Sequence, residues 1–255
     1  MSIELRARYF RSVVDGEGEV GSVHERLVLQ PRNTALLLVD VYADVQTEEA
    51  VADPKTHEPW LQAVRRAAAA RTAARSCGMP IIFTANSSPR IALEESEFGR
   101  HFQRSWGHDF NAEFREGGVD PREYHGGREA PLRHPPELTP GPGEYYLRKH
   151  VYSAFFDTRL DTLLRNLRIE TLIMAGFHAD VCMLATSLDA FYRNYRVVWI
   201  RDATTGGIRK GRSRTAWVVD WLEDVVGYTV TAEEFTAACS RHAGTPPIGD
   251  SGRPS

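Results

Sequence analysis

The sequence predicts an α/β fold in which a doubly wound, mostly parallel sheet of six strands carries helices on both faces. Three observations support this prediction. Apolar runs of strand length recur along the chain, segments with helical spacing separate them, and no internal repeat is present. Near-continuous apolar strands are typical of parallel sheets covered on both faces, and such strand–helix–strand units connect with a right-handed crossover.

The apolar runs define six predicted strands, and helical patterns lie between them. In chain order the predicted strands are 35–40, 80–84, 145–149, 171–175, 196–201 and 228–231. A first helix is predicted over 59–77, because a proline occupies its first turn and a glycine follows its end. Leucines at helical spacing predict a second helix over 159–167, and a third begins near Val181.

The domain organisation follows from length and local composition. Residues 30–242 are predicted to form one domain, since a chain of 255 residues can bury a sizeable core and no linker divides it. Residues 1–29 are interpreted as an N-terminal extension and residues 243–255 as a flexible tail. Residues 87–144 combine charge, glycine and proline, which indicates an irregular insertion that serves as a lid or an interface.

Composition excludes several classes of function. The net charge of −3 gives no reason to expect a nucleic-acid or anionic-membrane partner. No apolar run approaches the roughly 18 residues that span a bilayer, and the first residues lack the apolar core of a secretory signal. The three cysteines are odd in number and have no CxxC spacing, which disfavours a disulfide framework or a zinc site. We therefore expect a cytoplasmic protein.

Three predicted strands lead into residues that can carry chemistry. Asp40 ends the first strand, Lys149 ends the third, and Cys182 follows the fourth at the start of a helix. Alone, each has an ordinary explanation as a turn residue, a solvated lysine or a buried thiol. Because the carboxyl ends of parallel strands share one edge, we expect them to converge there as a base, a cation and a nucleophile. The helix dipole is expected to lower the pKa of Cys182.

At these residues the chain resembles the isochorismatase-like cysteine hydrolases. The likeness extends from about residue 30 to about residue 242 and is carried by LLLVD at 36–40, by K-x-x-Y-S-A-F-F from Lys149, and by G-x-x-x-D-x-C ending at Cys182. The resemblance implies that Asp40, Lys149 and Cys182 form a catalytic triad. It also implies that Cys182 attacks the carbonyl of a small amide or ureido compound to form a thioester, releasing ammonia or an amine.

The resemblance further implies an oxyanion hole made by the backbone N–H groups of His178 and Cys182, with a cis peptide bond between Phe177 and His178. Relatives usually carry a small residue at the position of His178, so its side chain either lines the pocket or packs under the insertion. The candidate pocket residues are Phe177, His178, Tyr152, Phe155, Trp106 and Asn86. For Tyr152 and Phe155, packing in the core is the alternative interpretation.

Differences from two branches of the family narrow the expected activity. The nicotinamidase branch binds a metal through an Asp-x-His pair after the second strand, whereas this chain has Asn86-Ser87-Ser88 there, and these are poor transition-metal ligands. We therefore expect no metal and no cofactor. Isochorismatases proper cleave a vinyl ether without a nucleophilic cysteine, so Cys182 disfavours that branch. The resemblance favours the group that includes N-carbamoylsarcosine, ureidoacrylate and biuret hydrolases, and it implies a homodimer or homotetramer.

Two other classes of function remain as alternatives. A non-catalytic member could use the same crevice to bind a small ligand or a partner protein, but such a module would not need Asp40, Lys149 and Cys182 together. A dinucleotide-dependent enzyme is disfavoured, because no GxGxxG pattern follows the first predicted strand.

Overall fold

The computed structural model describes residues 2–12, 20–42, 54–86, 97–106, 134–149, 151–209 and 212–243. Within these residues the strands are β1 Ile3–Arg11, β2 Gly21–Leu29, β3 Thr34–Val39, β4 Ile81–Asn86, β5 Tyr145–Lys149, β6 Thr171–Phe177, β7 Arg196–Thr205, β8 Ile208–Arg209, β9 Arg212–Ser213 and β10 Tyr228–Val230. The α-helices are α1 Pro54–Ser76, α2 Glu97–Trp106, α3 Leu160–Asn166, α4 Leu184–Tyr192, α5 Thr215–Val225 and α6 Ala232–Ala243.

Eight strands form one sheet in the spatial order β2-β1-β10-β7-β6-β3-β4-β5. The six from β10 to β5 are parallel and correspond to the six predicted strands, which confirms the predicted α/β fold. The predicted strand number was wrong by two, because β1 and β2 add an antiparallel hairpin beside β10. Buried Ile3, Leu5 and Ala7 alternate with exposed charged residues in β1, a pattern of half-exposed antiparallel strands that lacks a continuous apolar run.

Helices cover both faces of the sheet, as predicted. Helices α1 and α6 bury their apolar residues on one face, whereas α3, α4 and α5 pack against the other. The three predicted helices are present with shifted ends. Helix α1 starts at Pro54, so that Pro59 lies inside it, and a π-helical turn over Ala179–Met183 leads into α4. Among the helices that the structure describes, none combines the length and the apolar character that a bilayer span requires.

The connectivity has a switch point between β3 and β6, where open α/β sheets form a ligand crevice. The chain adds β4 and β5 on one side of β3, and then adds β7 and β10 on the far side of β6. At such a switch point the loops after two neighbouring strands diverge and leave room for a ligand. At the end of this strand pair the backbone of Gly176 has a φ of +131°, and a Cβ there would be 1.9 Å from the carbonyl oxygen of Val39 on the neighbouring strand. Only glycine fits this position.

The start of β5 is tied to α1 through one buried carboxylate. Glu144 accepts hydrogen bonds from two nitrogens of Arg71 at 2.9 and 2.6 Å, from Arg75 at 2.6 Å and from the N–H of Gly141 at 2.7 Å. Burial alone would raise the pKa of Glu144, but these donors outweigh it and lower the pKa from 4.5 to about 2. The charged form of Glu144 therefore stabilises the fold.

We expect Glu144→Gln to lower the free energy of unfolding by about 1–2 kcal/mol at neutral pH, less than the full pKa shift corresponds to, because solvent screens the exposed Arg75. Because the folded pKa of Glu144 lies below its unfolded value, its contribution is complete above about pH 4.5 and disappears as the pH falls toward about 2. Urea unfolding at several pH values measures this difference between wild type and variant. Exposed Glu137, on the neighbouring turn, provides the control Glu137→Gln. A difference that does not change between neutral and acidic pH would contradict the prediction.

Candidate active site

Asp40, Lys149 and Cys182 meet at the carboxyl edge of the sheet, beside the crevice. The Nζ atom of Lys149 lies 2.7 Å from Oδ2 of Asp40 and donates to Sγ of Cys182 at 3.4 Å. The residues are almost inaccessible to solvent, with exposed fractions of 0% for Lys149, 2% for Asp40 and 6% for Cys182. The fold thus brings together three side chains that the sequence placed at separate strand ends.

Asp40 is positioned by a sharp turn at the end of β3. Its φ of +50° lies in the left-handed region, which aspartate tolerates better than most residues. Its backbone N–H donates to the carbonyl oxygen of Thr84 at 3.0 Å, which keeps the turn against β4. Oδ1 of Asp40 is buried and has no hydrogen-bond partner among the described residues. This carboxylate oxygen is therefore available as a proton acceptor.

Lys149 lies at the end of β5, in register with Asn86 at the end of β4. Besides contacting Asp40 and Cys182, its ammonium donates to Oδ1 of Asn86 at 2.5 Å and to the carbonyl oxygen of Val151 at 3.2 Å. Burial by itself lowers the pKa of Lys149, but the negative charge of Asp40 and the sulfur of Cys182 outweigh this effect and raise it. The lysine is held as a cation, and the side-chain oxygen of Asn86, a predicted pocket residue, is engaged in holding it.

Cys182 lies within the π-helical turn Ala179–Met183, at the start of the helical segment that continues as α4. Burial raises the pKa of its thiol to about 12; the charge of Lys149 opposes this rise, whereas that of Asp40 adds to it. The expectation of a lowered pKa was therefore wrong, because burial and the neighbouring carboxylate outweigh the favourable charge of Lys149. The resting site pairs a neutral thiol with an Asp–Lys ion pair.

The segment between β6 and Cys182 joins the end of that strand to the π-helical turn. The peptide bond between Phe177 and His178 is cis. The carbonyl oxygen of His178 accepts hydrogen bonds from the N–H groups of Val181 and Met183, both at 3.1 Å. These bonds hold the turn that carries Cys182 against the end of β6. The side chain of His178 is half-buried, with its ring 5.4 Å from the ring of Trp60.

Two residues around the site were missed by the sequence analysis. Trp60 of α1 stacks on Phe177, with ring centroids 3.8 Å apart, and its Nε1 donates to the carbonyl oxygen of Tyr42 at 3.3 Å. The hydroxyl of Tyr42 in turn accepts the backbone N–H of Asn86 at 3.1 Å. The position of Trp60 in a helix predicts no more than a core contact. Tyr42 stands two residues after Asp40, and this closeness in sequence was the one feature that could have indicated a place near the site.

The remaining candidate pocket residues lie in several environments. Phe155 is buried in the core, with its ring 5.9 Å from that of Tyr195 and the guanidinium of Arg193 5.1 Å from its centre. Half-buried Tyr152 packs against the same cluster. These are the contacts of core packing, the alternative left open for both residues. Phe177 is also a core residue, buried against Trp60.

Part of the predicted site lies outside the described residues. Trp106 is the last residue of α2, and its side chain is not among those that the structure describes. Within the predicted insertion, the segments 87–96 and 107–133 also lie outside the described residues, as does the predicted tail from residue 244 onward.

Comparison with known proteins shows which family the chain matches. Residues 34–234 match the family described as Isochorismatase domain. The ureidoacrylate amidohydrolase RutB of Cronobacter turicensis is 30% identical over an alignment 204 positions long, and the alignment covers 71% of this chain and 78% of that protein. A cysteine hydrolase from Pseudomonas syringae pv. phaseolicola has a similar structure, with a TM-score of 0.65 at 20% identity, covering 84% of this chain and 95% of that one.

The N-carbamoylsarcosine amidase of Thermoplasma acidophilum is also structurally similar, with a TM-score of 0.56 at 24% identity over 79% of this chain and 97% of that one. At these identities the two solved structures support the fold alone. The family match and the curated amidohydrolase relative identify the protein as a hydrolase of non-peptide carbon–nitrogen bonds. With the family match covering residues 34–234 of 255, the chain belongs to the isochorismatase domain family.

Proposed function

We propose that the protein is a cysteine amidohydrolase that cleaves a carbon–nitrogen bond of a small amide or ureido compound through a thioester on Cys182. The observation that carries this proposal is the enclosed contact of a thiol, a carboxylate and an ammonium group beside the crevice. Burying three ionisable groups is expensive unless they are paired, and a site for passive binding would not require a nucleophile among them.

In the first step Asp40 acts as the general base. The thiol of Cys182 has a pKa of about 12, so it is protonated at rest and needs a base to react. Its proton passes to Asp40 while the sulfur attacks the carbonyl carbon and the carbonyl π electrons move to oxygen. The carbon–nitrogen bond then breaks, and the nitrogen takes the proton from Asp40 as ammonia or an amine leaves. Lys149 balances the charge of Asp40 and keeps its carboxylate in place.

The second step hydrolyses the thioester. Asp40, again a carboxylate, takes a proton from a water molecule whose oxygen attacks the thioester carbon. The carbon–sulfur bond breaks, and the departing sulfur recovers the proton from Asp40. In both steps the backbone N–H groups of His178 and Cys182 would stabilise the negative oxygen, and each such donor is worth about 2.7–4 kcal/mol in related chemistry.

A substrate panel tests the proposal. Ureidoacrylate comes first, because a relative of 30% identity is named for it; N-carbamoyl amino acids, biuret and simple aryl and aliphatic amides follow. We expect ammonia release from at least one carbamoyl or ureido compound, together with an acyl adduct on the Cys182 peptide after acid quenching and mass spectrometry. If no member of the panel releases ammonia, the proposed function is wrong.

A further inference from the structure

We propose that Trp60 is a positioning residue for the reaction: its indole holds the segment that carries Asp40 at a set distance from the turn that carries Cys182. The inference rests on the proposed function, because Trp60 would act only through those groups. Trp60 belongs to α1 and is 1% exposed. It lies on the face of the sheet opposite to the helices that pack around Cys182.

The first contact of Trp60 is with the segment after β3. Its Nε1 donates to the carbonyl oxygen of Tyr42 at 3.3 Å, two residues beyond Asp40. The hydroxyl of Tyr42 accepts the N–H of Asn86 at 3.1 Å, and Oδ1 of Asn86 accepts from Lys149 at 2.5 Å. Three hydrogen bonds, linked through the residues Tyr42 and Asn86, therefore connect the indole to the ends of β3, β4 and β5.

The second contact is with the segment after β6. The indole lies parallel to the ring of Phe177, with 3.8 Å between centroids and 15° between planes. The ring of His178 is 5.4 Å away. Phe177 and His178 share the cis peptide bond, and the carbonyl oxygen of His178 anchors the turn of Cys182. The face of the same indole thus supports the segment that leads from β6 to Cys182.

Through these two contacts Trp60 sets the distance between the carboxylate of Asp40 and the thiol of Cys182, and the proposed reaction depends on that distance. Asp40 must reach the thiol proton, the leaving nitrogen and water in turn, while the oxyanion donors stay aimed at one carbonyl oxygen. Displacing a reacting group by about 1 Å can lower the rate by about 100-fold. An indole bonded to one segment and stacked on the other resists such a displacement, because one of its two contacts would have to be lost.

Trp60→Phe and Trp60→Leu test the proposal. Phenylalanine keeps the stacking but loses the N–H, and leucine loses both. We expect kcat to fall by about 10-fold and about 100-fold, respectively, with KM changed by less than about threefold, since substrate binding does not involve the indole. The matched control is Trp221→Phe, which truncates a half-buried tryptophan of α5 that packs on the other face of the sheet. It should keep kcat within about twofold.

A second measurement does not depend on turnover. Because the charge of Asp40 helps to raise the pKa of Cys182, moving that carboxylate away should shift the pH profile of Cys182 alkylation by iodoacetamide to lower pH in Trp60→Leu. Trp221→Phe should leave the profile unchanged. Both profiles are read by mass spectrometry of the Cys182 peptide, on protein shown to be folded by circular dichroism.

Three results would overturn the positioning role. These are an unshifted alkylation profile in Trp60→Leu, a rise in KM with an unchanged kcat, and an equal loss of kcat in Trp221→Phe. Failure of the proposed function looks different, since the wild-type protein itself would then release no ammonia. The alkylation profile would still decide in that case whether Trp60 sets the position of Asp40 relative to Cys182.

Discussion

Replacing Cys182 with serine is expected to lower ammonia release by about 10⁴-fold or more, the range seen when the nucleophile of a covalent hydrolase is removed. A serine hydroxyl is far less acidic than a thiol, and one ion-paired carboxylate is a weak base for it. The acyl adduct at position 182 should disappear together with turnover. Initial-rate measurements on whichever substrate the panel identifies provide the test.

The other two cysteines offer the matched control. Cys77 and Cys239 are buried between α1 and α6, and Cys77 donates through its sulfur to the carbonyl oxygen of Cys239 at 3.5 Å. Cys77→Ser should keep turnover within about twofold, because it changes a thiol remote from the site. Turnover by Cys182→Ser above about one hundredth of the wild-type rate would refute the thioester mechanism.

Asp40→Asn is expected to lower turnover and, at the same time, to make Cys182 react with iodoacetamide at lower pH. Turnover should fall by about 10³-fold, since asparagine can neither accept the thiol proton nor deliver it to the leaving nitrogen. Alkylation by iodoacetamide should instead extend to lower pH. The carboxylate raises the pKa of Cys182, whereas Lys149 lowers it, so removing Asp40 leaves a cation beside the thiol and favours the thiolate.

The experiment compares the pH dependence of alkylation with that of turnover in the same preparations. Asp220→Asn, on the exposed side of α5, makes the same chemical change away from the site and should alter neither property. If the alkylation profile of Asp40→Asn moved to higher pH, Asp40 would be promoting the thiolate in the resting enzyme. That result would contradict the electrostatics described above.

The six parallel strands of the sheet could be predicted because they are buried on both faces. A strand covered on both faces must be apolar at nearly every position, so 34–39 and 171–177 are visible as continuous runs. The N-terminal hairpin buries one face only, and its alternating charged residues concealed it. The two groups of strands differ in whether one or both of their faces are buried, and this depends on the packing of the whole sheet.

The sequence by itself determined which chemical groups reach the site. Strand ends in a parallel sheet share an edge, so Asp40, Lys149 and Cys182 could be placed together from strand positions alone. Tertiary structure decided how those groups behave and what holds them. Burial reversed the expected direction of the Cys182 pKa. Trp60 contacts the site across more than a hundred residues of chain, and local patterns carry no information on such long-range contacts or on the depth of burial.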